Sequence, residues 1–187
     1  LSQIYIEVSI NGKDPVSSDG ILNAISSAGI TYVQTIDITG GYVSSSIMSE
    51  IKGITSLTNL KISERAALES YIINSEQFKD HYNLQYITIM HDISLSENCF
   101  MGCSSLMRAE FKSATLLSEG CFRDCTSLTS LIIPECKRLK GDYIFANCER
   151  LTILDLSSLL YVDNESENIF SGCTNLKTFL IKGNKTL

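Results

Sequence analysis

The 187-residue sequence has only two prolines and no glycine- and serine-rich linker, which argues against a string of domains. It lacks a surplus of positive charge: Lys and Arg total 15 against 21 Asp and Glu, for a formal charge of −6. A nucleic-acid footprint needs clustered Lys and Arg, so nucleic acid is not an expected partner. No like-charge run is long enough to be a tail, and residues 58–69 and 108–112 mix both signs. No apolar run approaches the length of a membrane span, so no transmembrane segment is expected in this chain. No leader is visible either. The chain opens on Leu1 rather than Met, as a trimmed or processed chain does, so that absence says nothing about secretion. Gly40-Gly41 lacks the rest of a phosphate-binding loop.

What the sequence does have is a phrase that recurs: Phe-x-x-Cys-x-x-Leu-x-x-apolar-x-apolar. It occurs at Phe100–Leu106, Phe122–Leu128, Phe145–Leu151 and Phe170–Leu176. A fixed period of this size is the mark of a solenoid. The anchoring position runs through Val33, Leu57, Leu84, Leu106, Leu128, Leu151 and Leu176, in steps of 24, 27, 22, 22, 23 and 25 residues. After each anchor comes an alternating apolar pair, from Ile36/Ile38 through Ala109/Phe111 to Phe179/Ile181. Period two predicts a short strand with one buried face. A further apolar position recurs after the pair, at Leu68, Leu95, Leu117, Leu139, Val162 and Leu187, and is expected to point back into the core. The Phe-x-x-Cys spacing fits one face of a helical turn. One coil buries too few side chains to offset the ordering of its backbone, so the coils must stack.

Older copies are degraded but readable. Phe78-Lys-Asp-His81-Tyr-Asn-Leu84 carries His81 in the Cys position, and Ile51-Lys-Gly-Ile54-Thr-Ser-Leu57 carries Ile twice. Before Val33 the pattern changes. Ile4, Ile6, Val8 and Ile10 alternate up to the turn signal Asn11-Gly12. Ile21, Leu22, Ile25 and Ala28 have helical spacing, with Ser18 or Asp19 as N-cap and Gly29 as stop. The expected organisation is therefore one domain over 1–187, with an N-terminal cap at 1–29 and repeats over 30–187. No distinct capping segment follows the last coil, which leaves open an exposed final coil or a longer natural chain.

The phrase, with cores such as Cys103-Ser-Ser-Leu106, Cys125-Thr-Ser-Leu128 and Cys173-Thr-Asn-Leu176, resembles the BspA-like class of leucine-rich repeats. Ile133-Pro134 is similar to the apolar-Pro strand end common in that class. The resemblance covers residues 99–187 well and 51–98 loosely. It implies an α/β leucine-rich-repeat solenoid of about seven coils. A parallel β-sheet would form the concave face, with short helical turns and extended segments opposite. It also implies a surface or secreted protein of a host-associated microbe, used for binding or adhesion, and hence an extracellular or cell-surface location. Fold alone does not set the ligand.

Seven cysteines invite a metal or disulfide reading. Cys103, Cys125, Cys148 and Cys173 share a column with Ile54 and His81, and Cys99 and Cys121 share one with Ile144 and Ile169. Cys136 matches Ala114 and Leu159. Columns that accept Ile suit thiols packed as small hydrophobes. The alternatives are one disulfide, such as Cys99–Cys121, or a four-thiolate zinc site. His81 is expected to fill the Cys column and His91 to face solvent. Glu165 and Glu167 sit in a polar loop, better suited to solvation than to acid–base work. Asn164-Glu-Ser166 and Asn184-Lys-Thr186 match the glycosylation triplet, which matters only in a eukaryotic secretory cell.

No catalytic constellation or cofactor site stands out from the repeat, so a non-enzymatic role is expected. The informative positions are the outward strand residues. Tyr86, Met90, Arg108, Glu110, Ile132, Ile153 and Asp155 form the candidate concave binding face. Exposed apolar residues in a group suggest a contact surface, and Tyr with Arg is typical of binding hot spots. The expected partner is a protein or glycan, with host extracellular matrix in view. The second reading is a structural stalk or spacer that displays another domain. The sequence does not set the oligomeric state.

Overall fold

The computed structural model describes residues 32–181 and, as backbone, residues 5–9. Period-two alternation builds the main strands. In β2 (Thr35–Val43), Ile36 and Ile38 are fully buried, while Thr35, Asp37 and Thr39 between them stay partly open. The same pattern gives β3 (Asn59–Ile62), β6 (Tyr86–Leu95), β7 (Arg108–Leu117), β8 (Ser130–Ile132), β10 (Ile153–Leu156) and β12 (Thr178–Ile181). These strands pair in parallel in chain order. They follow the seven anchors, with six turns of solenoid between the first and the last.

An eighth strand, β1 (Tyr5–Ser9), pairs in parallel with β2 on the other side, with Ile6 opposite Ile36 and Val8 opposite Ile38. The N-terminal alternation therefore extends the ladder. The expected cap helix around Ile21–Ala28, the Asn11-Gly12 turn, the Asn184 triplet and Leu187 lie outside the described residues.

A second parallel ladder runs through the extended segments opposite. Ile73, Leu95, Leu117, Leu139 and Val162 lie side by side across β5 (Ile72–Ile73), β6, β7, β9 (Arg138–Leu139) and β11 (Tyr161–Val162). The 27-residue step interrupts it. There β4 (Ala66–Leu68) pairs back with β2, and β5 then pairs forward with β6. The extra residues let the chain serve both neighbours.

The Phe-x-x-Cys stretches differ from the expected helical turn. Two residues per coil, placed two before and two after the Phe, have positive φ. They are Asn98 (53°) and Gly102 (74°) about Phe100, and Gly120 (58°) and Asp124 (61°) about Phe122. Left-handed residues stop a helix from propagating. What forms instead is a chain of four-residue turns, such as Met101 N–H to the Asn98 carbonyl and Cys103 N–H to the Phe100 carbonyl, both 3.1 Å. The N–H groups freed by this geometry bond the next coil. Phe100 donates to Cys121 at 2.9 Å, Phe122 to Ile144 at 2.9 Å and Phe145 to Ile169 at 2.8 Å. A third inter-coil ladder results.

One helix stands among the described residues: α1 (Ser45–Gly53), in the coil that lacks a Phe. The Ser44 hydroxyl caps it by accepting from Ile47 N–H at 3.1 Å, and Ile47 and Ile51, one turn apart, are buried. Between the ladders runs a stack of rings. Phe78, Phe100, Phe122, Phe145 and Phe170 lie nearly parallel, with successive centroids 5.4, 5.5, 6.0 and 5.4 Å apart. Offset stacks at such spacings add to the burial of the rings.

Candidate functional site

The main ladder sets the outward residues in rows. Tyr86 lies opposite Arg108, Arg108 opposite Ser130, and Ser130 opposite Ile153. In the next row Thr88 meets Glu110 and Glu110 meets Ile132. Neighbouring strands are about 4.8 Å apart, so these side chains are within reach of one another. Tyr86 is 42 % exposed and Ile153 56 % exposed. Arg108 is open to solvent, with its Nη2 donating to Glu110 Oε2 at 3.1 Å. The Tyr86 hydroxyl lies 4.0 Å from the Met107 sulfur.

The structure thus brings Tyr86, Arg108, Glu110 and Ile132 together and links Ile153 to them through Ser130. Met90 stands at the rim, and Asp155 lies on β10 opposite Leu180 of β12. Met90 is half-buried where the β6–β7 register shifts, and Asp155 is turned to local use, its Oδ1 accepting from Ser157 N–H at 2.8 Å. Three ion pairs lie on this side: Lys61 with Asp37 at 3.4 Å, Lys112 with Glu64 at 3.1 Å, and Arg108 with Glu110 at 3.1 Å. Such exposed pairs add little stability. Beside them stands the apolar surface of Tyr86, Ile132 and Ile153.

All seven cysteines are free thiols, six of them buried and Cys173 partly so. Burial pushes the Cys103 and Cys136 thiols up to about 12 and raises those of Cys99, Cys121 and Cys125 well above the ordinary range. The thiolate is the nucleophile and the metal ligand, so these groups are held in the unreactive form. His81 is buried in the Cys column, as expected, and burial lowers its pKa. His91 departs from expectation: it is half-buried, with Nε2 2.8 Å from the Ser63 carbonyl across the coil. Glu165 and Glu167 are both exposed in the loop before Phe170.

Two features escaped the reading of the sequence. One is a hydrogen bond from each column thiol to the preceding coil. The other is a groove of about 780 Å³ beside β9 and β11, where the loop after Val162 lengthens. The irregular spacing between Val162 and Phe170 is the signal that could have revealed it.

A family model described as a BspA type leucine rich repeat region matches residues 71–187 in six copies. The ladder continues N-terminal to that match through β3, β2 and β1. No curated protein matches, and no solved structure matches. No described helix is long and apolar enough to cross a membrane.

Proposed function

The chain belongs to the BspA type leucine-rich-repeat family, and from that premise we propose that it is a non-enzymatic binding module of a secreted or cell-surface protein. Its outward sheet face contacts a protein or glycan, and adhesion to host matrix or cells is the activity this serves. The observation that carries the reading is the Tyr86–Arg108 cross-strand pair, exposed in one row with Ile153. Tyr and Arg anchors dominate binding energy where a surface of this kind is covered by a partner.

The test is retention of the protein on matrix-coated or cell-coated surfaces. Tyr86→Ala and Arg108→Ala should each lower retention severalfold, because truncating an anchor costs about 1–2 kcal/mol or more. Unaltered retention in both variants removes this patch from the account. A spacer role is the second reading. It is favoured by the unbroken Phe stack and by ladders in which each coil bonds only its neighbours, as in a rod.

A further inference from the structure

Insertions into a repeat map to loops on one face, which is often a binding face. The stretch between the second-ladder residue and the Phe is regular early and then lengthens. It is 118–121 after Leu117, 140–144 after Leu139 and 163–169 after Val162. The two longer loops bound the groove of about 780 Å³, on the side of the solenoid formed by β9 and β11.

Its walls combine an open aromatic ring with fixed polar groups. Tyr161 is 66 % exposed and sits opposite Arg138 in the β9–β11 register. The Arg138 guanidinium is locked by Asp163, with Nε to Oδ1 at 2.9 Å and Nη2 to Oδ2 at 3.1 Å. Such a bidentate pair holds its plane, so the guanidinium edge is set before any ligand arrives. The lower rim is tied as well. Gly141 N–H donates to the Ser166 hydroxyl at 3.0 Å, and Glu167 N–H donates to Asp142 Oδ1 at 2.6 Å. Lys140, Asn164 and Glu165 line the same space and are exposed.

We propose that this groove binds a neutral oligosaccharide, with a pyranose ring lying on Tyr161. A pyranose has one face of C–H groups and a rim of hydroxyls, each both donor and acceptor. The C–H face suits an exposed aromatic ring. The rim suits a lining that mixes cationic donors (Arg138, Lys140), an amide (Asn164) and a carboxylate acceptor (Glu165). The lining holds four carboxylates (Glu119, Asp142, Asp163 and Glu165) against Arg138 and Lys140, which disfavours a polyanion, and sugar hydroxyls can donate to these fixed acceptors while accepting from Lys140 and Asn164. The site is separate from the Tyr86–Arg108 face, and the two can fail independently.

The experiment screens the full chain on a printed array of neutral hexose and N-acetylhexosamine oligosaccharides, then titrates the best responder by calorimetry. Wild type should retain at least one oligosaccharide. Tyr161→Ala should weaken it about tenfold, Tyr161→Phe should keep it, and Tyr71→Ala, at an exposed tyrosine outside the groove, should leave it unchanged. Tyr161 lies on the surface, so an unchanged melting temperature verifies the fold of the variant. No retained oligosaccharide, retention indifferent to Tyr161→Ala, or equal loss with Tyr71→Ala each overturns the proposal. So does a Tyr161-dependent preference for basic peptides over every sugar on the array.

Discussion

The Sγ of Cys103 lies 3.0 Å from the carbonyl oxygen of Phe78, one coil earlier. That oxygen already accepts the N–H of His81 in its own turn at 3.1 Å. The arrangement repeats in Cys125 to Phe100 at 3.2 Å, Cys148 to Phe122 at 3.2 Å and Cys173 to Phe145 at 3.0 Å. His81 reaches the preceding coil at a different point: its Nε2 lies 3.1 Å from the carbonyl of Ile54, the column residue itself, not that of Ile51 in the Phe position. Cysteine suits the column because it packs as a small hydrophobe and still carries a weak donor. The thiols therefore stitch each coil to the one before it.

Cys125→Ala removes both the sulfur and the second hydrogen bond to the Phe100 carbonyl. The expected loss is about 1–2 kcal/mol, from buried apolar volume plus one net hydrogen bond. Urea denaturation measures it. A variant as stable as wild type would mean that the thiol is passive filler.

Raised thiol pKa values predict sensitivity to alkali. A thiol that titrates from an ordinary 9.0 in the unfolded chain to about 12 in the fold, as for Cys103 and Cys136, favours the protonated native state. Its contribution is complete below pH 9.0 and is lost as pH rises toward about 12, because the unfolded state releases the proton first. Stability should fall by about 1.4 kcal/mol per pH unit for each such thiol across that window. Denaturation curves at stepped alkaline pH report the slope. In the same range Cys173, the partly open thiol, should be the first to react with a thiol reagent.

His81 titrates in the other direction. Burial lowers its pKa below the ordinary 6.5, and its Nδ1 is buried without a hydrogen-bond partner. The neutral ring is favoured in the fold, so its contribution is present above pH 6.5 and is lost as pH falls through the lowered value. His81→Cys should restore the column and remove this acid sensitivity. Parallel acid titrations of the two proteins, followed by circular dichroism, compare them. Identical acid midpoints would place the sensitivity elsewhere.

Gly120 has φ +58°, and a Cβ there would run into the Asn98 side chain from the preceding coil. Gly120→Ala should cost about 1–2 kcal/mol from the left-handed backbone alone, with the clash adding to it. Part of the loss should be recovered in the Asn98→Gly, Gly120→Ala double variant, because Gly removes the clashing side chain and tolerates the left-handed φ of 53° at position 98. If the single variant melts at the wild-type temperature, the left-handed turn is not the element that sets the coil's shape.

The anchors and alternating pairs were legible because each strand buries one face, and period two survives wherever that face is packed. The same logic reached Ile54 and His81 and assigned the column to the core. Two things were hidden. Asn98, Asp124 and Asn147 take left-handed conformations that spacing alone does not reveal, so the turns read as helical. A thiol that donates to a carbonyl looks, in sequence, the same as one that only packs. Helix α1 was missed because Ile47 and Ile51 replace the repeat phrase locally, although Ser44 marks its start. On the candidate face, register followed from the anchors, and so did the pairing of Tyr86 with Arg108. The local hydrogen bond that draws Asp155 aside did not.

The most direct measurement is a double-mutant comparison of retention on matrix-coated surfaces. Tyr86→Ala, Arg108→Ala and their combination alter the main face, while Tyr71→Ala and Lys137→Ala alter exposed positions along the second ladder. The binding account predicts loss in the first set, with the combination weaker than either single change, and near wild-type retention in the second. Equal retention across both sets, in proteins that melt together, would contradict it.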